Sequence, residues 1–436
     1  MNAQQTTRRE FLKTSTTATI ATTLASSLPF PGVLRGAPNA EKLKVGLVGC
    51  GGRGTGAANQ ALTADPNVEL YAMADISESK LKGSFESLHK VHQDRVSATP
   101  DRRFKGLDGY QRVIESCDVV LLTTPPGFRP QHLKAAIEAG RHAFVEKPMA
   151  TDAPGVRSVL ESAALAKKKN LAIVAGFDWR YNFARREMIK RLHDGVIGDI
   201  RSMYVTCCVS AIKTMPPAET RPADMGDVEW QVRNWYNLAQ ISGDLLVENC
   251  CHSVDRLLWM MKDVPPAKCV AVGGRQIPNP GGNIYDHFQA NYVWADGARG
   301  TAVSRHMDRT YEDVSDDIHC ADGRAFARAD NRFKPITEIH SKTGTWRYDG
   351  PWNLSYQTEH DELFASIRAG NPINDGVRMA NSTLAAIMGR MAAYTGLEIT
   401  WEMALNSQEK LVPDNLDWNA PLPIAPLAMP GVTKFI

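Results

Sequence analysis

Lys44-Val45-Gly46-Leu47-Val48-Gly49-Cys50-Gly51-Gly52-Arg53-Gly54 decides the fold. An apolar run of strand character ends in G-x-G-x-x-G, and the small-residue stretch at 55–64 after it reads as a helix. Glycines at these positions let a backbone turn tightly and approach a pyrophosphate, while the helix start supplies N–H groups and partial positive charge. A second apolar run at 68–74 ends at Asp75, the place from which a carboxylate accepts hydrogen bonds from both hydroxyls of a ribose. Such a carboxylate repels a 2′-phosphate, so NAD is favoured over NADP, with Arg53 the one nearby residue that could pair with a phosphate.

Beyond this start, strand and helix signals keep alternating: strands at 117–123, 143–145 and 171–175, helices at 130–140 and 156–169. That order predicts a doubly wound parallel sheet. After about residue 178 strands follow one another, at 200–209, 268–273, 288–294 and 301–306, with an Asp296-Gly297 hairpin turn between the last two. One helix interrupts them at 248–261. The second part therefore reads as an α+β domain with a large, mostly antiparallel open sheet. Helices are expected at 358–368 and 377–395, then a Pro-rich strap at 413–430. The expected organisation is 1–40 leader and linker, 41–177 Rossmann domain, 178–375 substrate and oligomerisation domain, and 376–436 C-terminal helix and strap.

A chain of 436 residues exceeds a single core of ordinary size, and its 22% charged residues exclude a disordered polyelectrolyte. The net charge of +2 offers no basic stripe for nucleic acid, and no window approaches the ~18 apolar residues of a membrane span. Arg8, Arg9, Lys13 and Arg35 against Glu10 put a charge of +3 in the first forty residues and leave the remainder at −1. Paired arginines before a weakly apolar Thr/Ala stretch resemble a twin-arginine signal. The expected partner is the twin-arginine export machinery, and the expected destination is the periplasm, reached folded and loaded with cofactor. Eight cysteines without a C-x-x-C spacing are expected to be buried free thiols.

Gly140-Arg141-His142-Ala143-Phe144-Val145-Glu146-Lys147-Pro148 resembles the AGKHVxxEKP signature of the Gfo/Idh/MocA oxidoreductases. Thr123-Thr124-Pro125-Pro126 resembles the TP loop of that family, and Gly176-Phe177-Asp178-Trp179-Arg180-Tyr181-Asn182 its GFxxRYxP segment. Residues 195–200 resemble its GxIGxI, and 243–255 its GGxLxDxGxHxxD helix. The resemblance implies a nicotinamide-binding fold followed by an open-sheet domain, a sugar or polyol in the cleft between them, and a homodimer or homotetramer. It places Lys147 beside the reacting hydroxyl, makes His252 the proton acceptor or donor, and adds Thr124, Pro125 and Glu146 to the cofactor site formed by Gly49, Gly51, Gly52, Arg53, Gly54 and Asp75.

Elementary chemistry agrees with those roles. Oxidising a secondary alcohol removes a proton from oxygen, which suits an imidazole near neutrality, and a lysine can stabilise the developing negative charge. Glu248, four residues before His252, shares its face if the segment is one helix. Glu248 stands where the family more often has Asp, Cys250 where Gly is usual, and Arg129 near a common His position. No metal is expected, although Glu248, Cys251 and His252 include ligand types. Arg180, Tyr181, Arg233, Trp235, Asp286 and His287 are the expected carbohydrate contacts, aromatic faces stacking on C–H groups and polar groups binding hydroxyls. Residues 356–360 read as a helix cap region. The expected function is NAD-dependent oxidation of a sugar, polyol or glycoside hydroxyl with tightly bound cofactor. The alternatives are a redox-neutral NAD-dependent glycoside hydrolase and a non-catalytic, cofactor-bound sugar-binding protein.

Overall fold

The computed structural model describes residues 41–328, 335–413 and 416–436. The export segment expected at 1–40 lies outside them. Among the described residues, six strands build one sheet: β1 (Leu43–Val48), β2 (Val68–Asp75), β3 (Arg103–Lys105), β4 (Val119–Leu122), β5 (His142–Val145) and β6 (Ile173–Ala175). Their order is β3-β2-β1-β4-β5-β6, every pair parallel. β4 and the last three residues of β5 are wholly buried, as strands covered by helices on both faces must be. The order reverses between β1 and β4, which opens a crevice beyond their carboxyl ends.

The second sheet holds nine strands among the described residues: β7 (Ile200–Val209), β8 (Lys268–Gly274), β9 (His287–Val293), β10 (Arg299–His306), β11 (Ser315–Cys320), β12 (Gly323–Arg328), β13 (Ile336–Ser341), β14 (Gly344–Arg347) and β15 (Ile399–Thr400). It is antiparallel except where β10 runs parallel to β7. Strands β11 to β14 have no counterpart among the strands read from the sequence. Stretches such as Asp316-Asp317 and Arg324 carry charge in a strand pattern whose other face is half exposed, and this weakens the apolar signal.

Three elements tie the halves together. The helix Ser355–Arg368 leaves the second sheet and packs on the helix Gly52–Ala64, with Leu363 and Phe364 buried among Ala57, Ala58 and Phe144. The helix Gly376–Thr395 is buried along nearly its whole length, between the helix Ala153–Lys168 and strands β8 and β9. The strap after Val412 returns along the second domain, its carbonyls at Leu422, Ala425 and Ala428 accepting from Gln231, Asn283 and Tyr285.

The segment expected as one helix at 248–261 is two pieces, Leu245–Glu248 and Cys251–Met260. The Cys250 N–H reaches back five residues to the Leu245 carbonyl, so the turn widens and Glu248 and His252 do not share a continuous helical face. All eight cysteines are free thiols, seven of them buried.

Beneath this helix lies a dry ionic cluster. Asp316, fully buried, accepts from Arg185 and from Arg256 Nε at 2.7 Å. Both guanidiniums lie over the ring of Trp179, at 4.2 and 4.9 Å from its centroid. Removing one member of such a cluster strands the other charges away from water. Asp316→Ala is expected to lower the unfolding free energy by about 3–5 kcal/mol, measured by urea denaturation. A loss under about 1 kcal/mol, the ceiling for an exposed pair, would show that the cluster does not support the fold.

Candidate active site

One cavity of about 780 Å³ runs from the crevice of the parallel sheet into the second domain. Gly49, Gly51, Gly52, Arg53, Gly54, Asp75, Thr124, Pro125, Glu146, Lys147, Trp235, Glu248 and His252 all line it.

The glycine turn is shaped for a close ligand. Gly49 has φ +97°, and a Cβ there would press on the Thr123 carbonyl carbon at 2.9 Å. A Cβ on Gly54 would overlap the Gly49 carbonyl oxygen, so only glycine lets the helix start pack under the turn. Open space lies instead above Gly51 and Gly52, and no side chain caps the helix that begins at Gly52. Its first N–H groups are left for an anion. Asp75 accepts from the Cys50 and Ser77 N–H groups at 2.7 and 2.8 Å, which holds its carboxylate at the end of β2. These features fit the diphosphate and ribose of a dinucleotide.

Arg53 turns elsewhere than expected. Its guanidinium pairs with Glu146, meets Glu359 at 2.9 Å and lies 4.5 Å from the Tyr356 ring centroid. Engaged by these two carboxylates, it is not a partner for a 2′-phosphate. Burial, and the neighbouring Glu146 next, push the Glu359 carboxyl well above its ordinary range.

Lys147 follows β5 and crosses to the second domain. Its ammonium donates to the Glu248 carbonyl at 2.8 Å and lies 3.4 Å from Glu248 Oε1. Burial opposes the charge, but Glu248, with Cys251 and Glu146 behind it, outweighs burial and raises the lysine pKa. Lys147 is therefore a cation at neutral pH. Burial first, then Lys147, Arg256 and Arg53, hold the His252 pKa well below its usual value, so the imidazole is neutral. A fixed cation and a neutral base thus face one cavity.

Arg129 and His132 complete the wall beside the TP loop. Thr124 Oγ1 lies 3.2 Å from His132 Nδ1, and burial lowers the His132 pKa to about 3. Arg129 is buried, donates to the Pro148 carbonyl at 2.6 Å, and is pushed down to about 10 by burial.

Five expected carbohydrate contacts do not line this cavity. Arg180 is buried against Asp255 at 2.8 Å and Asp263 at 2.6 Å. The buried Tyr181 hydroxyl donates to Asp375 at 3.0 Å. Arg233 pairs with Glu229 on an exposed helix side. Asp286 accepts from the Gln276 and Ile277 N–H groups and holds His287 Nδ1 at 2.7 Å, closing a turn away from the cavity. Their hydrogen-bond partners are the reason: each side chain is taken up by a structural contact.

Residues outside the expected set take their place. Trp179, immediately before two of the displaced candidates, lines the cavity with Asn249 and Arg256. Tyr356, in the first turn of the helix Ser355–Arg368, lines it from the other side. The GFxxRYxP segment could have pointed to Trp179. Nothing in the sequence connects Glu359 with Arg53 across 306 positions.

A Rossmann-type nucleotide domain, an open-sheet partner domain and a Lys/His pair between them define the class. Residues 43–177 match the oxidoreductase family with NAD-binding Rossmann fold, and residues 186–326 match the GFO/IDH/MocA C-terminal domain. The chain belongs to the Gfo/Idh/MocA oxidoreductase family. It is 29% identical over 195 residues to the dTDP-3,4-didehydro-2,6-dideoxy-alpha-D-glucose 3-reductase of Actinomadura kijaniata, covering 44% of this chain and 50% of that protein. It is 35% identical over 153 residues to inositol 2-dehydrogenase 3 of Saccharopolyspora erythraea, covering 35% and 38%. A glycosyl hydrolase family 109 protein of Streptomyces coelicolor is 28% identical over 162 residues, covering 36% and 32%. The chain thus spans half or less of the length of these curated relatives. In fold it is similar to a levoglucosan dehydrogenase complexed with NADH and levoglucosan, with TM-score 0.65 and 18% identity over 83% of this chain and 99% of that one. It is also similar to the aldose-aldose oxidoreductase of Caulobacter crescentus, with TM-score 0.64 and 16% identity over 83% and 100%.

Gly54→Ala is expected to abolish detectable dinucleotide binding in equilibrium dialysis while the far-ultraviolet spectrum stays unchanged. Wild-type affinity in that variant would show that the glycine turn does not hold the nucleotide.

Proposed function

We propose that this protein oxidises a secondary hydroxyl of a sugar, polyol or glycoside with a tightly held NAD. The observation that carries the reading is the convergence of a buried, protonated Lys147 and a neutral His252 on the cavity that begins at the glycine turn. When bound, the nicotinamide supplies the two-electron acceptor for a carbinol C–H bond. Lys147 donates a hydrogen bond to the hydroxyl oxygen and stabilises its developing negative charge. His252 takes the hydroxyl proton. Glu248 keeps Lys147 charged and points it across the cleft, and Trp179, Trp235 and Tyr356 add aromatic surface to the cavity wall that a sugar ring would meet.

Enclosure supports tight retention. Ile76 and Leu107, beside Asp75, join Phe128, Val228, Val232, Leu238, Ile241 and Trp235 in one apolar cluster. Leu416, Trp418 and Leu422 of the strap pack on that cluster from outside. The paired arginines at 8 and 9 support export of the folded, loaded protein by the twin-arginine route to the periplasm. An exported nucleotide has no cytoplasmic pool to renew it, so the reading includes regeneration within the site.

A redox-neutral glycosidase is the second reading, favoured by the family 109 relatives and by the enclosed cofactor site. In it the same Lys/His pair serves transient oxidation, elimination at the acidified neighbouring C–H, and water addition.

The full chain is expected to purify with bound NAD. Added sugars raise the near-ultraviolet absorbance of reduced nicotinamide if oxidation is the net reaction. Release of an aryl aglycone without that absorbance supports the glycosidase instead. Lys147→Ala and His252→Ala should each lower kcat at least about a hundredfold. Full activity in both variants refutes the assignment, and binding of sugar with no turnover identifies a sugar-binding protein. Replacing Arg8 and Arg9 together by Lys should leave the protein in the cytoplasmic fraction; unchanged periplasmic recovery refutes the export reading.

A further inference from the structure

His252 has a partner that neither its motif nor its own helix supplies. Its Nδ1 lies 3.7 Å from Asp178 Oδ1, a residue of the turn Asp178–Tyr181 just beyond β6. Both atoms are buried, and neither has any other hydrogen-bond partner. Two orphaned buried polar atoms are costly apart, and a hydrogen bond between these two relieves both. Asp178 is itself set from behind: its Oδ2 accepts from the Ser355 hydroxyl at 2.7 Å. The carboxylate therefore has one oxygen anchored and one turned to the imidazole. The Phe177 ring meets the imidazole edge-on, its centroid 5.9 Å away.

We propose that Asp178 is the positioning residue of His252. Its Oδ1 accepts a hydrogen bond from Nδ1–H, which leaves Nε2 as the unprotonated nitrogen of a ring that lines the cavity, and Ser355 holds the carboxylate for this task. The inference rests on the reading of His252 as proton acceptor. During oxidation the O–H proton passes to Nε2, the C–H pair leaves with its hydrogen to the bound nicotinamide, and the C–O bond becomes C=O. The imidazolium so formed keeps its Nδ1 proton, and Asp178 offsets its charge. Without that carboxylate the facing groups are Lys147 after β5, Arg53 on the glycine turn and Arg256 on the same helix, all cationic, with Glu248 committed to Lys147. Burial raises the Asp178 pKa to about 6, and Ser355 works against that rise, so the group is ionised at neutral pH. Ser355 adjoins Tyr356, and Glu359 follows one turn later. The helix that orients Asp178 therefore also holds Arg53 of the glycine turn.

The test uses the full chain with its bound nucleotide. Asp178→Asn presents an amide that can donate to Nδ1 and so favours the wrong tautomer. Its kcat is expected to fall on the order of a thousandfold, with KM and nucleotide affinity within about threefold. Ser355→Ala, which leaves both partners present, is expected to lower kcat about tenfold. Nitrogen-15 spectra of histidine-labelled protein supply a readout independent of activity, with the His252 signal identified by its loss in His252→Gln. The wild type is expected to carry the proton on Nδ1. A wild-type proton on Nε2, or an Asp178→Asn kcat within threefold of wild type, overturns the proposal. If Asp178→Asn fails to fold, the wild-type tautomer and Ser355→Ala decide. If His252→Gln retains full activity, the acid–base reading of His252 falls, whichever tautomer is seen.

Discussion

A lysine ammonium held away from water needs acceptors, and Lys147 finds both of its own on Glu248. The lysine belongs to the nucleotide sheet and the glutamate to the domain built on the second sheet. A charge that would be costly to bury alone therefore becomes a reason for the two halves to meet at one place. The cavity is the space left around that contact. A second joint accompanies it: Arg53 on the glycine turn is gripped by Glu146, the neighbour of Lys147, and by Glu359 from the helix Ser355–Arg368 that comes after β14.

These joints explain why the site combines unlike groups. The glycine turn and Asp75 stand at strand ends of a sheet buried on both faces, a rigid platform for a dinucleotide. The substrate end is carried by the broken helix around Cys250, and the buried Asp316 cluster beneath it sets Trp179. Beside Asp75 an apolar cluster forms part of the cavity wall, and the C-terminal strap lies against it. Burial of all these charges is what separates their chemistry. It drives the His252 and His132 imidazoles to neutrality and pushes the Asp178 and Glu359 carboxyls upward, while the paired Lys147 remains a cation.

Much of this was legible in the chain itself, and the limits of legibility are instructive. The strand–glycine–helix start, the alternation that follows it and the position of Asp75 depend on backbone geometry over a few residues, whereas Lys147 and His252 were marked by motifs that resemble those of the family. Asp178-Trp179-Arg180-Tyr181 shows where such reading stops. In this tight turn Trp179 lines the cavity while Arg180 and Tyr181 are taken up by Asp255, Asp263 and Asp375. Asp286 and His287 were likewise diverted, by the turn they close.

The sequence by itself determined the parallel sheet, the nucleotide turn and part of the second sheet, because short-range hydrogen-bond patterns and apolar periodicity are local quantities; the Lys/His pair was legible through the family resemblance of its motifs. Only the tertiary structure decided which polar side chains remain available to a ligand. That depends on whether a partner from a distant segment has already claimed them, as Glu359 claims Arg53 and Ser355 anchors Asp178. Such claims are settled by packing across hundreds of residues, where no local pattern reaches.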